Sequence, residues 1–243
     1  MEIFAYAFMQ RALAAAVLVG LLCSTVAFFV VLRRLSFAGV GVSHSALGGV
    51  AIGVLTGVNP IVAGAVFATA VAWAIGWVSR RGQLSEDTAI GALFSASMAL
   101  GVVLLGFVPG YTADLMSFLF GNILAVTAAD LALVAAVSFA VLGFVAFFFK
   151  ELLAAAFDEE VAEADGLPVG FLYYGLLTAV ALTVVVSVKV VGVVLSSALL
   201  VIPAAIGFEL AKDYRRMLGI AVLAGVAGSV TGLALSFYLD VAS

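Results

Sequence analysis

Read along its length, the chain alternates long apolar runs with short polar breaks. The breaks separate eight segments, near residues 10–32, 40–57, 60–79, 88–108, 130–149, 171–188, 192–210 and 217–238. Most approach the roughly 20 apolar residues that a helix needs to cross a bilayer. The pattern predicts an all-α polytopic membrane fold of about eight transmembrane helices with short loops, forming a single transmembrane domain over residues 1–243. Several breaks carry their own start signals. Asn59-Pro60 reads as a tight turn, Ser85 as an N-cap with Glu86 and Asp87 in the first turn, and Thr127 with Asp130 as a capping box. Residues 109–129 are interrupted by Pro109, Gly110, Asp114, Gly121 and Asn122, which predicts a partial helix at the outer face rather than a full span.

Composition agrees with the pattern. Of 243 residues, 66% are hydrophobic and 10% charged, against roughly 25% charged in a soluble domain. The first segment follows Met1-Glu2 with no basic stretch before it and is too long for a signal-peptide core, so it is read as the first span. The few charges fix orientation, because Lys and Arg collect in cytoplasmic loops. Arg33, Arg34, Arg80, Arg81, Lys150, Lys212, Arg215 and Arg216 fall in alternate loops, with Arg11 and Lys189 on the other side. Both termini are therefore expected outside.

The same inventory excludes classes of chemistry. No GxxxxGK[ST], HExxH or GxSxG motif occurs, so ATP hydrolysis by a phosphate loop is not expected of this chain. A formal charge of −4 held in loops argues against a nucleic-acid partner, and the lone Cys23 excludes a disulfide framework.

Three stretches carry candidate function. In the second segment Gly41, Ser45, Gly49, Gly53 and Gly57 recur every four residues, a small-residue stripe suited to close helix packing. His44, the only histidine, lies in that same segment. An ionisable group within a span commonly faces a cavity or pathway, and imidazole is a good ligand for divalent metals, although a hydrogen bond to a neighbouring helix would also account for it. The second stretch reads as a short acidic helix with its own stops, comprising Asp158, Glu159, Glu160, Val161, Ala162, Glu163, Ala164, Asp165 and Gly166, with Pro168 beyond. Docking on a partner and a solvated connection both fit it. In the third, Gly192, Ser196, Ser197 and Pro203 interrupt an apolar run, and Pro203 should kink or break it.

Together RRLSFAGVGVSHSALGGVAIG with NP after it, DLMSFLFGNILAVTAADL, and ADGLPVG followed by KVVGVVLSSALLVIPAA resemble the metal-transporting permeases of ABC importers for zinc, manganese and iron, over residues 10–235. The resemblance implies a prokaryotic inner-membrane subunit that pairs with a second permease chain, as a homodimer or a pair of like permeases, around one pathway. It implies an ABC ATPase that uses the ATP, an extracytoplasmic metal-binding protein that delivers the ion, and no cofactor in the chain itself. Residues 158–166 would be the coupling helix to the ATPase, and His44 would lie in the metal pathway. Many relatives carry an aspartate one turn before that histidine, where this chain has Val40. The alternative is a secondary ion- or proton-coupled transporter with His44 as relay. An intramembrane enzyme using His44 with Ser43 or Ser45 is disfavoured, because neighbouring residues on a helix point about 100° apart.

Overall fold

The computed structural model describes residues 7–82, 85–108, 121 and 123–239. Among them the backbone forms ten α-helices: α1 (Ala7–Leu32), α2 (Ser36–Thr56), α3 (Pro60–Arg81), α4 (Glu86–Leu105), α5 (Ala128–Phe147), α6 (Phe149–Phe157), α7 (Glu159–Ala164), α8 (Val169–Leu199), α9 (Ile202–Leu210) and α10 (Tyr214–Leu239). A 3-10 turn, Ile123–Ala125, leads into α5. The expected outer-face partial helix falls mainly on residues 109–120 and 122, which lie outside the described residues.

Helix starts follow local chemistry. The first backbone N–H groups of a helix lack internal partners and take side-chain acceptors instead. Asn59 Oδ1 accepts from Ile61 N at 3.0 Å, with Pro60 as the first helical residue of α3. Ser85 Oγ accepts from Thr88 N at 3.3 Å. At α5, Thr127 Oγ1 accepts from Asp130 N and Asp130 Oδ2 accepts from Thr127 N, the reciprocal pair that the spacing predicted. Asp130 also pairs with Lys189 of α8.

Seven stretches among the described residues are long and apolar enough to cross a membrane, one of them being Val169–Leu210 with 42 residues. Straight, it would be about 63 Å long, roughly twice the hydrocarbon core. It is not straight. Gly192 has φ 82° and ψ 168°, and Ser187 Oγ lies 2.5 Å from Ser196 Oγ. Nine residues of continuous helix would hold those serines about 14 Å apart. The chain therefore doubles back at Gly192, and the two segments expected at 171–188 and 192–210 are the legs of a helical hairpin. Gly121 lies against this reversal so closely that a Cβ on it would come within 2.3 Å of Gly192 N. The second leg breaks again at Leu200–Val201, with Pro203 at the second position of α9, where its missing N–H costs nothing.

The central element is α1, which buries Ala12, Ala15, Ala16, Val19, Leu22, Cys23 and Val26 and packs against α10, α8 and α5. Beside it α2 packs between α3 and α4. Its small residues set the spacing. A Cβ on Gly49 would fall 2.6 Å from Phe67 Cβ and 2.7 Å from Gly64 Cα of α3, and one on Gly41 would fall 2.6 Å from Ile90 Cγ2 of α4. Gly53 approaches Pro60 and Ala63, and Ser45 is buried with its hydroxyl donating to Gly41 O at 2.7 Å. Gly57 corrects the expected stripe. The helix ends at Thr56, and Gly57 is its left-handed cap at φ 72° with no neighbour among the described residues within 4 Å of a Cβ. Only glycine takes that conformation without strain, so its position four residues after Gly53 reflects termination rather than packing.

Candidate functional site

His44 lies on α2 between buried Ser43 and Ser45 and is itself half-buried. Its ring meets Phe94 of α4 edge-on, 5.3 Å between centroids. The two serines, considered as weak donors beside it, are turned to their own helix. Ser43 Oγ donates to Val40 O at 2.9 Å and Ser45 Oγ to Gly41 O, and both are fully buried. Val40, one turn before His44, brings no polar side chain. No group of three or more His, Cys, Asp or Glu that could hold a metal occurs among the described residues. A cation at this level would find one imidazole from this chain, a donor suited to passage rather than to tight retention.

The acidic helix has the form expected of it. Asp158 Oδ1 caps α7 by accepting from Val161 N at 3.0 Å, and Glu159 and Glu160 fill the first turn. Gly166 turns out at φ 83°, with Gly166 N donating to Glu163 O and Leu167 N to Ala162 O, both at 3.0 Å. That pair of bonds is the glycine-terminated stop that satisfies the last carbonyls. Ala162 is buried against the group formed by Phe29, Leu152 and Leu172. Glu160, Val161, Glu163, Ala164, Asp165 and Gly166 are exposed, and Phe157 before them is 71% exposed. The outward face is thus mixed acidic and apolar, a surface able to enter a groove on another protein.

Behind α7 lies a cluster that sequence reasoning missed. Arg33 follows α1, Arg80 lies in the last turn of α3, Glu86 opens α4 and Tyr173 lies in the first turns of α8. Arg80 forms an ion pair with Glu159, whose other oxygen is 3.7 Å from Arg33 Nη2. Arg33 Nη2 also donates to Ala155 O at 2.8 Å. Both guanidinium groups lie over the Tyr173 ring, Arg33 at 5.4 Å and Arg80 at 4.8 Å from its centroid. The Tyr173 hydroxyl donates to Glu86 Oε1 at 3.1 Å. Burial pushes the Arg33 guanidinium below its ordinary pKa, with Arg80 adding to the effect and Tyr173 and Glu86 opposing it. In the sequence these arginines serve only as orientation signals. They converge at one end of the bundle, where α7 and the ends of α1 and α3 meet.

The ABC 3 transport family matches residues 5–243. The chain belongs to that family. The manganese transport system membrane protein MntC of Listeria monocytogenes is 38% identical over 238 residues, 98% of this chain and 85% of that protein. The high-affinity zinc uptake system membrane protein ZnuB of Haemophilus influenzae is 33% identical over 232 residues, 96% of this chain and 89% of that protein. The solved structure of PsaBC from Streptococcus pneumoniae in complex with Fab superposes with a TM-score of 0.87 at 35% identity, covering 98% of this chain and 85% of that one. The multi-pass helical architecture of this ABC 3 family chain is therefore that of a transport permease, and the likeness to metal-transporting permeases holds across nearly its whole length.

Proposed function

We propose that two copies of this chain form the pathway of an importer for a divalent transition metal ion, zinc, manganese or iron, in a prokaryotic inner membrane. A separate ABC ATPase docks on α7 and supplies the energy, and an extracytoplasmic metal-binding protein delivers the ion. The arginine-bearing loops lie in the cytoplasm and both termini outside. His44 of each copy contacts the ion in passage, and residues 158–166 are the coupling helix. The observation that carries this reading is the half-open imidazole of His44 on a helix whose neighbouring polar groups are all turned inward, in a chain of this family. With Val40 offering no oxygen ligand, the donors are imidazoles. These suit zinc and iron better than manganese, so zinc is the first cation to test.

The test is metal uptake by the permease reconstituted with its ATPase and binding protein. Replacement His44→Ala should lower uptake about tenfold or more while the complex still assembles and hydrolyses ATP, the loss of one pathway ligand per chain. Unchanged uptake would remove His44 from the pathway. Metal carried by the permease alone down a proton gradient would instead establish the secondary-transporter reading.

A further inference from the structure

The geometry points to a further assignment, which rests on the import reading above. Glu159, held between Arg80 and Arg33, is the positioning residue that ties the docking helix to the helices around His44. A six-residue helix cannot hold its place by its own hydrogen bonds. What α7 buries is one alanine, Ala162. Beyond that contact, Glu159 is what ties α7 by charge to the ends of α1 and α3, and Arg33 also holds the Ala155 carbonyl of α6 just ahead of it.

The charges make this attachment more than a surface ion pair. Arg80 is 33% exposed and Glu159 39%, so that pair is open to water, whereas Arg33 is only 7% exposed. Two like charges lie over one aromatic ring, and Glu159 is the carboxylate that both approach. Withdrawing it would leave the buried Arg33 guanidinium with the Ala155 carbonyl and the Tyr173 ring as its remaining direct partners, a weaker compensation for a buried charge. Displacement of α7 must therefore move the ends of α1 and α3 or change which arginine Glu159 serves. There is room for such a change. Arg33 Nε has no hydrogen-bond partner among the described residues, and a cavity of about 380 Å³ lies among Arg33, Arg34, Glu86, Glu159 and Tyr173. A carboxylate between one close and one more distant cation, with space beside it, can shift from one to the other, which is what a mechanical relay requires.

The relay ends at the candidate pathway. Arg80 closes α3, whose Gly64 and Phe67 lie against Gly49 of the helix that carries His44. Glu86, bonded to Tyr173, opens α4, whose Phe94 touches the His44 ring. Both helices that flank α2 thus begin or end in the cluster that holds the docking helix.

The experiment uses the full complex with its ATPase and binding protein in proteoliposomes and reads metal transported per ATP hydrolysed. Glu159→Gln keeps the shape and removes the charge. With the ratio normalised to the amount of ATPase bound to the permease, it should fall at least about fivefold, the small end of a coupling effect. Arg80→Met should do the same, Arg80→Lys should retain most of the ratio, and the exposed control Glu209→Gln should not alter it. A normal ratio in Glu159→Gln overturns the assignment, as does a loss of transport that only tracks loss of bound ATPase. A wild-type complex that moves no metal overturns the import reading itself, and this assignment with it.

Discussion

Adding one methyl group at Gly49 tests how the pathway helix is held. A Cβ there would lie 2.6 Å from Phe67 Cβ, 2.7 Å from Gly64 Cα and 2.8 Å from Ala63 O. Those distances are about 0.8 Å inside the roughly 3.5 Å at which such atoms rest. None of the three belongs to the far end of a flexible side chain, so α3 itself must retreat, and overpacking of this kind costs about 1–3 kcal/mol. Gly91, inside α4, offers the matched comparison because nothing lies within 4 Å of its Cβ position. Gly49→Ala and Gly91→Ala gain the same helix propensity, up to about 1 kcal/mol. The difference between them isolates the overlap. Unfolding in mixed detergent micelles, followed by circular dichroism, should place Gly49→Ala below Gly91→Ala by about 1–3 kcal/mol, a factor of roughly 5 to 150 in the folded-to-unfolded ratio. Equal stability of the two variants would mean that α2 and α3 do not meet through Gly49, and the account of the stripe would fail.

Two further perturbations probe the helix stops. Asp158→Ala removes the α7 cap and should cost that helix about 1 kcal/mol. Amide exchange across residues 159–166 should rise roughly fivefold with α5 unchanged, and equal exchange would show that the cap contributes nothing. Gly192→Ala places a side chain at φ 82° and ψ 168°, at a cost of about 1–3 kcal/mol. Its thermal midpoint in detergent should drop by several degrees relative to Gly228→Ala, where a Cβ meets nothing within 4 Å. A drop no larger than that of the Gly228 variant would show that the reversal tolerates a side chain.

What the sequence revealed were features with a short range or a fixed period. Ser85, Thr127 and Asp158 act on backbone groups three residues away, so composition at those positions suffices to identify them. The same holds for Gly166 and for the spans, whose length is set by the bilayer. Gly57 was misread because the four-residue rhythm of Gly41, Gly49 and Gly53 runs on through it, and rhythm does not record where a helix stops. The hairpin at Gly192 was legible only as a boundary between two segments. The contact between Ser187 and Ser196 that reveals its geometry depends on one backbone conformation. Least visible was the cluster of Arg33, Arg80, Glu86, Glu159 and Tyr173. Its members come from five separate parts of the chain and share no periodicity. At His44 the sequence supplied the residue and the helix but not the isolation of the ring, which follows from the buried hydroxyls of Ser43 and Ser45 being bonded to their own backbone.

The reversal at Gly192 also constrains how the protein is made. A helix pair whose turn is one glycine has no polar loop for the insertion machinery to pass across first, so the legs 169–191 and 193–210 must enter the bilayer together. In the proposed orientation the charge carried through ahead of the turn is that of Lys189, and a lysine at mid-membrane costs about 2.5–3.5 kcal/mol. The valines and leucines on both legs offset this at roughly 0.3–0.6 kcal/mol each. Once across, the ammonium group finds Asp130 waiting at the start of a helix that was synthesised earlier. Biosynthetic order therefore places the counter-ion before the cation that needs it.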